Sequence, residues 1–199
     1  MNNSSKSDFN QFSIVFTGIG GQGLISIIRI LGESFLLQNF EVITAETHGL
    51  GQRGGKVNTF LRFGNKPQAP LPLFGSADMI VASEKSAVLD VLRYSKPDKT
   101  TKFIISTYEK KIVDVEYPNE EYIQEQVKKK SDFISYIPSN NLAQNLIGNT
   151  RTENTILIGY MLRFLPLERE DIEAILKKNF SGMILEQNIK ALEEGINYE

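Results

Sequence analysis

Residues 44–55 read TAETHGLGQRGG and place the chain's single histidine, His48, between Glu46 and Arg53. Those three types hold and move charge near neutral pH. An imidazole exchanges a proton there, a guanidinium offers a planar fork to a carboxylate or phosphate, and a nearby acid can orient the imidazole. Gln52 adds an amide, and Gly54 and Gly55 let backbone come close to whatever lies opposite. Two readings fit these residues: one wall of a ligand pocket, or a hydrogen-bonded cluster that only fixes a turn.

A second stretch, Gly18-Ile-Gly20-Gly21-Gln22-Gly23, satisfies G-x-G-x-x-G between a strand-like run and a helix-like run. Glycines at that junction allow a tight turn and let a phosphate reach the amides that open a helix. They also allow close helix–strand packing with no ligand at all. Gln22 can read a ligand's polar edge or cap the loop. Glu46 closes the next strand, somewhat later than the offset of a ribose-binding acid in a nicotinamide site.

What the chain lacks narrows the chemistry. With no cysteine, disulfides, thiolate zinc, iron–sulfur clusters and cysteine nucleophiles are excluded from this chain. One histidine leaves any Ser-His-Asp triad dependent on His48. A net charge of -2 gives no reason to expect a nucleic-acid or membrane partner. The N-terminus is polar and no apolar run reaches spanning length, so a cytoplasmic location is expected.

The elements that must position these motifs follow from periodicity. FSIVFT is a strand, and LISIIRILGESFLLQN carries apolar residues at helical spacing, with Ile25, Ile28, Leu31 and Phe35 expected as its core stripe. EVITAE, KVNTFLRF, DMIVAS, KFIIST and SDFISYIP read as further strands, and YEKKIVDVEYP as a peripheral hairpin or edge segment. NKPQAPLPLFG is an extended connection. Ser83 is expected to cap EKSAVLDVLRYS, Asn119 to cap EEYIQEQVKKK, and Thr150–Glu153 to form a capping box before NTILIGYMLRF. Two amphipathic helices close the chain, the last expected to end at Gly195. The sum is a three-layer Rossmann-like α/β/α domain with a mixed, mainly parallel sheet. One strand pair around residues 40–63 is expected to be antiparallel. Residues 1–11 are expected to be a disordered tail and 12–199 a single domain with a helical C-terminal third.

Taken together, GIGGQG, then ETHGLGQRGG, then a strand ending in R-x-G (Arg62, Gly64) resembles the gamma-subunit or gamma-domain family of 2-oxoacid:ferredoxin oxidoreductases, especially the indolepyruvate beta subunit. That family shows G-x-G-G-Q-G and a motif close to E-x-H-G-M-[AS]-Q-R-G-G; Glu46, His48, Gly49, Gln52, Arg53, Gly54 and Gly55 match. The likeness continues through Ala77-Asp78, Ala82-x-Glu84 and SNNLAQNLIGNTRTENTILIG to Asn188. Leu50 replaces a usual Met, Gly51 a usual Ala or Ser, and KPDKTTK a turn that often reads P-G-G.

The resemblance implies thiamine-diphosphate-dependent oxidative decarboxylation of a 2-oxoacid, with indolepyruvate or another aryl pyruvate as the expected substrate. The products are an acyl-CoA and electrons for ferredoxin. Thiamine diphosphate, Mg, coenzyme A and iron–sulfur clusters are then expected in the complex, with a larger thiamine- and iron–sulfur-binding subunit as partner. The isolated chain, which has no G-D dipeptide for the family's metal–diphosphate motif, is expected to be inactive. Under that reading Gly18, Gly20, Gly21, Gln22, Gly23, Gln52, Gly54 and Gly55 face a cofactor or partner, and Glu46, His48 and Arg53 are the catalytic candidates. The alternative is a free-standing nicotinamide- or nucleotide-binding Rossmann-like protein that uses GIGGQG and Glu46.

Overall fold

In the computed structural model, residues 9–48, 55–67, 69–111 and 116–199 are described. β1 (Gln11–Ile19) is followed by α1 (Leu24–Leu37), β2 (Glu41–His48) and β3 (Lys56–Gly64). β4 (Met79–Ala82), a short α2 (Val88–Val91) and β5 (Lys102–Ser106) come next, then α3 (Glu120–Lys128) and β6 (Phe133–Ile137). The C-terminal third is helical: α4 (Ser139–Leu142), a π-type turn, α5 (Glu153–Met161), α6 (Arg169–Asn179) and α7 (Gly182–Asn197).

The sheet order is β2-β3-β1-β4-β5-β6. β1, β4, β5 and β6 are parallel neighbours, whereas β3 runs antiparallel to both β1 and β2. The mixed, mainly parallel sheet is as expected, but two ladders are antiparallel where one was anticipated. A connection too short for a helix returns β2 as β3, and β3 then inserts itself between β2 and β1.

Strand alternation builds a core on each face. Ile14, Phe16, Leu61, Phe63, Met79, Val81 and Ile104 face α1, α5, α6 and α7. Val15, Phe60, Ile80, Phe103 and Ile105 face α2 and α3. Phe35 of α1 stacks on Phe63 of β3 with ring centroids 3.7 Å apart, which fixes the helix over the strands. α1 ends where Asn39 takes a left-handed φ of 56° and the Phe40 amide donates to the Phe35 carbonyl.

Several local expectations are corrected. Ile25 is 53% exposed rather than core. It lies in the row of Arg29 and Glu33, the solvent row of α1 that their ion pair marks. Glu84, not Ser83, caps the turn before α2, its carboxylate accepting from the Ala87 amide. The Thr150–Glu153 capping box does not form: Asn149 accepts from the Arg151 amide, and the Glu153 side chain is drawn into a tertiary network. α7 continues past Gly195, which packs against Gly159 of α5. Three residues of the expected tail are structured: the Phe9 ring lies 5.7 Å from those of Phe12 and Phe63, the Asn10 carbonyl accepts from the Asn65 amide, and Gln11 opens β1. Residues 1–8 of that tail lie outside the described residues.

Asn119 caps α3 as expected, accepting from the Tyr122 amide at 2.7 Å. No strand forms in the described part of 108–118, and 112–115 lie outside it. The KPDKTTK turn keeps a left-handed residue without glycine, because Lys99 adopts φ 60°. Asp98 braces it by accepting from the Thr100 amide and hydroxyl.

Candidate functional site

β1, β4, β5 and β6 all end at the same edge of the sheet, where ligands of open α/β sheets bind. The glycine loop leaves β1 at that edge. Gly21 and Gly23 have φ of 96° and 76°, a region that favours glycine. A Cβ on Gly18 would lie 2.8 Å from Gln22 Oε1, so a side chain there would push the Gln22 amide off its place over the loop.

Gln22 is anchored at every polar atom of its side chain. Its Oε1 accepts from the Ile19 amide at 2.7 Å, and its Nε2 donates to the Ser83 carbonyl at 2.9 Å and to Glu153 Oε1 at 3.4 Å. Its own carbonyl accepts from Asn154 Nδ2 at 2.5 Å. Of the two roles open to Gln22, capping the loop is the one its geometry performs. The amides of Gly21, Gly23, Leu24 and Ile25 have no partner among the described residues.

The second motif reaches the same place. The Gly20 amide donates to the Gly55 carbonyl at 2.9 Å, tying the glycine loop to the end of ETHGLGQRGG. His48 closes β2 in register with Val57, and Glu46 pairs in register with Thr59 and is exposed. Gly49, Leu50, Gly51, Gln52, Arg53 and Gly54 lie outside the described residues. Residues 19–26 and Val57, two residues beyond the second motif, line a recess of about 400 Å³ at the glycine loop, with the exposed Ile25 on its rim.

Other residues singled out by sequence go elsewhere. Arg62 is buried at the opposite edge, where it donates to Ser13 Oγ and to the Ala69 carbonyl and so holds the proline-rich connection. Asp78 accepts from the Ser13 amide and from Lys96. Asn188 accepts from Thr155 Oγ1 within the α5–α7 contact. Tyr160 is buried in the core, its hydroxyl donating to Ser135 Oγ.

Two residues that sequence reasoning missed complete the edge. Glu153 and Asn154, at the start of α5, join Gln22, Ser83 and Asn140 in one network. The signal was present: an acid and an amide stand one residue before the apolar run ILIGYM. Burial pushes the Glu153 carboxyl above its ordinary 4.5, and the Asn140 and Gln22 donors pull it only partly back. A carboxyl raised by folding stabilises the fold below the ordinary value, and that contribution is lost as pH rises through the folded value. The stability of the protein minus that of Glu153→Gln is therefore expected to fall as pH rises above about 4.5 and then level off. Denaturant melts across the acidic-to-neutral range measure it, and a difference independent of pH would refute the assignment.

The Pyruvate ferredoxin/flavodoxin oxidoreductase family model matches residues 13–198. The chain belongs to that family. Within it, the chain is 29% identical over 197 residues to the Indolepyruvate oxidoreductase subunit IorB of Archaeoglobus fulgidus, covering 94% of both chains. It is also 29% identical over 180 residues to the Pyruvate/ketoisovalerate oxidoreductases common subunit gamma of Pyrococcus furiosus, covering 90% of this chain and 92% of that one. The fold is shared with pyruvate oxidoreductase subunit PORC of Thermotoga maritima, at TM-score 0.71 and 21% identity over 94% of this chain and 95% of that one. It is shared too with a 2-oxoglutarate:ferredoxin oxidoreductase from Magnetococcus marinus solved with 2-oxoglutarate, coenzyme A and succinyl-CoA bound. That match has TM-score 0.71 and 19% identity, covering 94% of this chain and 30% of that one.

The donor set tests which of the family's cofactors this chain can hold. Without cysteine it cannot ligate a cysteine-bound iron–sulfur cluster. Among the described residues no three His, Asp or Glu side chains converge as a metal site. No helix of the described residues is long and apolar enough to cross a membrane.

Proposed function

We propose that this chain is the small, gamma-type subunit of a 2-oxoacid:ferredoxin oxidoreductase, with residues 12–199 as a single domain and indolepyruvate or another aryl pyruvate as substrate. It works with a larger subunit that holds thiamine diphosphate, Mg and the iron–sulfur clusters and delivers electrons to ferredoxin. Its own contribution is the recess at the glycine loop, where Gly20, Gly21 and Gly23 admit a cofactor such as coenzyme A or a loop of the partner, with Gly54 and Gly55 offering the same from the second motif. Gln22 shapes that loop from within, and Gln52, Arg53, His48 and Glu46 supply polar contact. The isolated chain is inactive in this reading.

The observation that carries it is the Gly20–Gly55 hydrogen bond, which makes one rim of two motifs far apart in sequence. Near full-length likeness to oxidoreductase subunits supports it. The nicotinamide alternative lacks such support, and the topology disfavours it. With β3 between β1 and β2, Glu46 stands two strand spacings, roughly 9–10 Å, from the strand that carries the glycine loop. A ribose-binding acid sits on the adjacent strand.

The test is capture of the tagged chain from its native lysate, followed by assay of the purified complex for indolepyruvate-dependent dye reduction. A cysteine-rich, thiamine-binding partner and turnover with aryl pyruvates are expected. A chain that purifies alone and binds NAD or NADP at micromolar concentration would overturn the proposal. In the complex, Arg53→Ala is expected to lower kcat/KM by roughly 10- to 100-fold, the loss of one charge-assisted contact. If Arg53→Ala and His48→Ala both leave assembly and turnover intact, the motif is only a turn.

A further inference from the structure

Glu153 is 6% exposed, yet no cation pairs with it among the described residues. A buried carboxylate without a counterion is costly, and an apolar residue of similar size would fill the space at lower cost. What the acid does there is specific. One oxygen accepts from Gln22 Nε2 of the glycine loop at 3.4 Å, and the other accepts from Asn140 Nδ2 of α4 at 2.7 Å. Both neighbours present donors, so residue 153 must present an acceptor on each arm. A carboxylate does that, whereas glutamine would turn an N–H₂ toward one of them.

Asn154 adds a second grip. Its Nδ2 donates to the Gln22 carbonyl, and its Oδ1 accepts from Ser83 Oγ at 3.3 Å. Consecutive residues of α5 therefore hold Gln22 by side chain and by main chain. Gln22 is flanked by two left-handed glycines that have no side chains to restrain the loop. The segments after β1, β4 and β6 are thus joined through the start of α5.

We propose that Glu153 is a positioning residue: through Gln22 it sets the conformation of the glycine loop, and with it the shape of the recess. This deepens the reading of the recess as the contact for cofactor or partner and rests on it. Glu153 itself does not line the recess.

The test uses the full chain and the purified complex. In ¹⁵N spectra of the full chain, Glu153→Gln is expected to displace the Gln22 side-chain resonances and the Gly20, Gly21 and Gly23 amides, while those of α6 stay in place. Asn140→Ala, which removes only the outer donor, is expected to move the same resonances less; it serves if Glu153→Gln does not fold. In the complex, Glu153→Gln is expected to lower kcat/KM at least tenfold. That loss should vanish in a Gln22→Ala background, since the acid acts through Gln22. Glu153→Asp, a shorter acid, should restore part of it.

Loop resonances that stay unmoved in a folded Glu153→Gln chain overturn the positioning role. So does a loss of turnover that persists undiminished without Gln22. Displaced resonances with unchanged kcat/KM leave the positioning role standing and overturn instead the reading of the recess.

Discussion

Gly195→Ala is expected to destabilise the protein by about 3 kcal/mol or more. That corresponds to roughly 6–12 °C in Tm for a domain of this size. The added Cβ would collide with the Ile156 carbonyl and lie 3.0 Å from Gly159 Cα. Both obstacles are backbone, so no rotamer change relieves them; α7 has to move off α5. Every residue of α5 is buried, with Ile156, Leu157 and Ile158 at 0% exposure, so that movement opens the core. Alanine's better helix propensity, about 1 kcal/mol, opposes the effect without matching it. Gly32→Ala is the matched control. It lies inside α1, where a Cβ meets Val42 Cγ1 at 3.6 Å and Leu61 Cδ1 at 4.0 Å, both ordinary contacts, and it is expected to be neutral or slightly stabilising. Thermal melts of the two variants decide the matter, and a Gly195→Ala chain as stable as the parent would refute the close approach. The shift also bears on the site, because α5 carries Glu153 and Asn154.

The backbone course was legible because strand and helix periods declare themselves over six or more residues. β1, α1 and β3 were readable for that reason, as was the glycine junction between β1 and α1. Contacts distant in sequence were not. Ser83, Glu84 and Glu153 are all types that cap helices, and sequence cannot say which local amide each will serve once a distant partner competes. Glu153 sits three residues after Thr150 as a capping box requires, yet Asn140 and Gln22 take its oxygens. Ile25 shows the same limit for apolar residues: spacing placed it in the core stripe, and the fold places it on the solvent row of α1, at the recess rim. For the site, sequence brought two glycine motifs to notice but could not show that they touch. That required the insertion of β3, which puts Gly55 beside Gly20.

Glu84→Ala is expected to cost about 3–5 kcal/mol, because several buried donors lose their acceptor at roughly 1–3 kcal/mol each. Glu84 is fully buried, and its carboxylate accepts four hydrogen bonds. Ser86 Oγ and the Ala87 amide donate to one oxygen at 2.8 and 2.9 Å. The Tyr117 hydroxyl and the Lys110 amide donate to the other at 2.5 and 3.3 Å. Truncation leaves those donors facing a void. Glu84→Gln keeps one acceptor oxygen and is expected to be milder, with a stability order of parent, glutamine, alanine. A titration reports on the same bond. Burial first, and then the Glu84 carboxylate, push the Tyr117 phenol well above its ordinary 10.0. In Glu84→Gln the burial remains and the charge is gone, so Tyr117 is expected to ionise at lower pH, as ultraviolet absorbance would show. The effect reaches the functional edge because Ser83, the residue before Glu84, gives its carbonyl to Gln22. Loosening the turn that Glu84 caps therefore loosens one anchor of the glycine loop. A Glu84→Ala chain that melts with the parent would show that the network is not what holds this turn. Ser83 would then need another explanation for its fixed place beside Gln22.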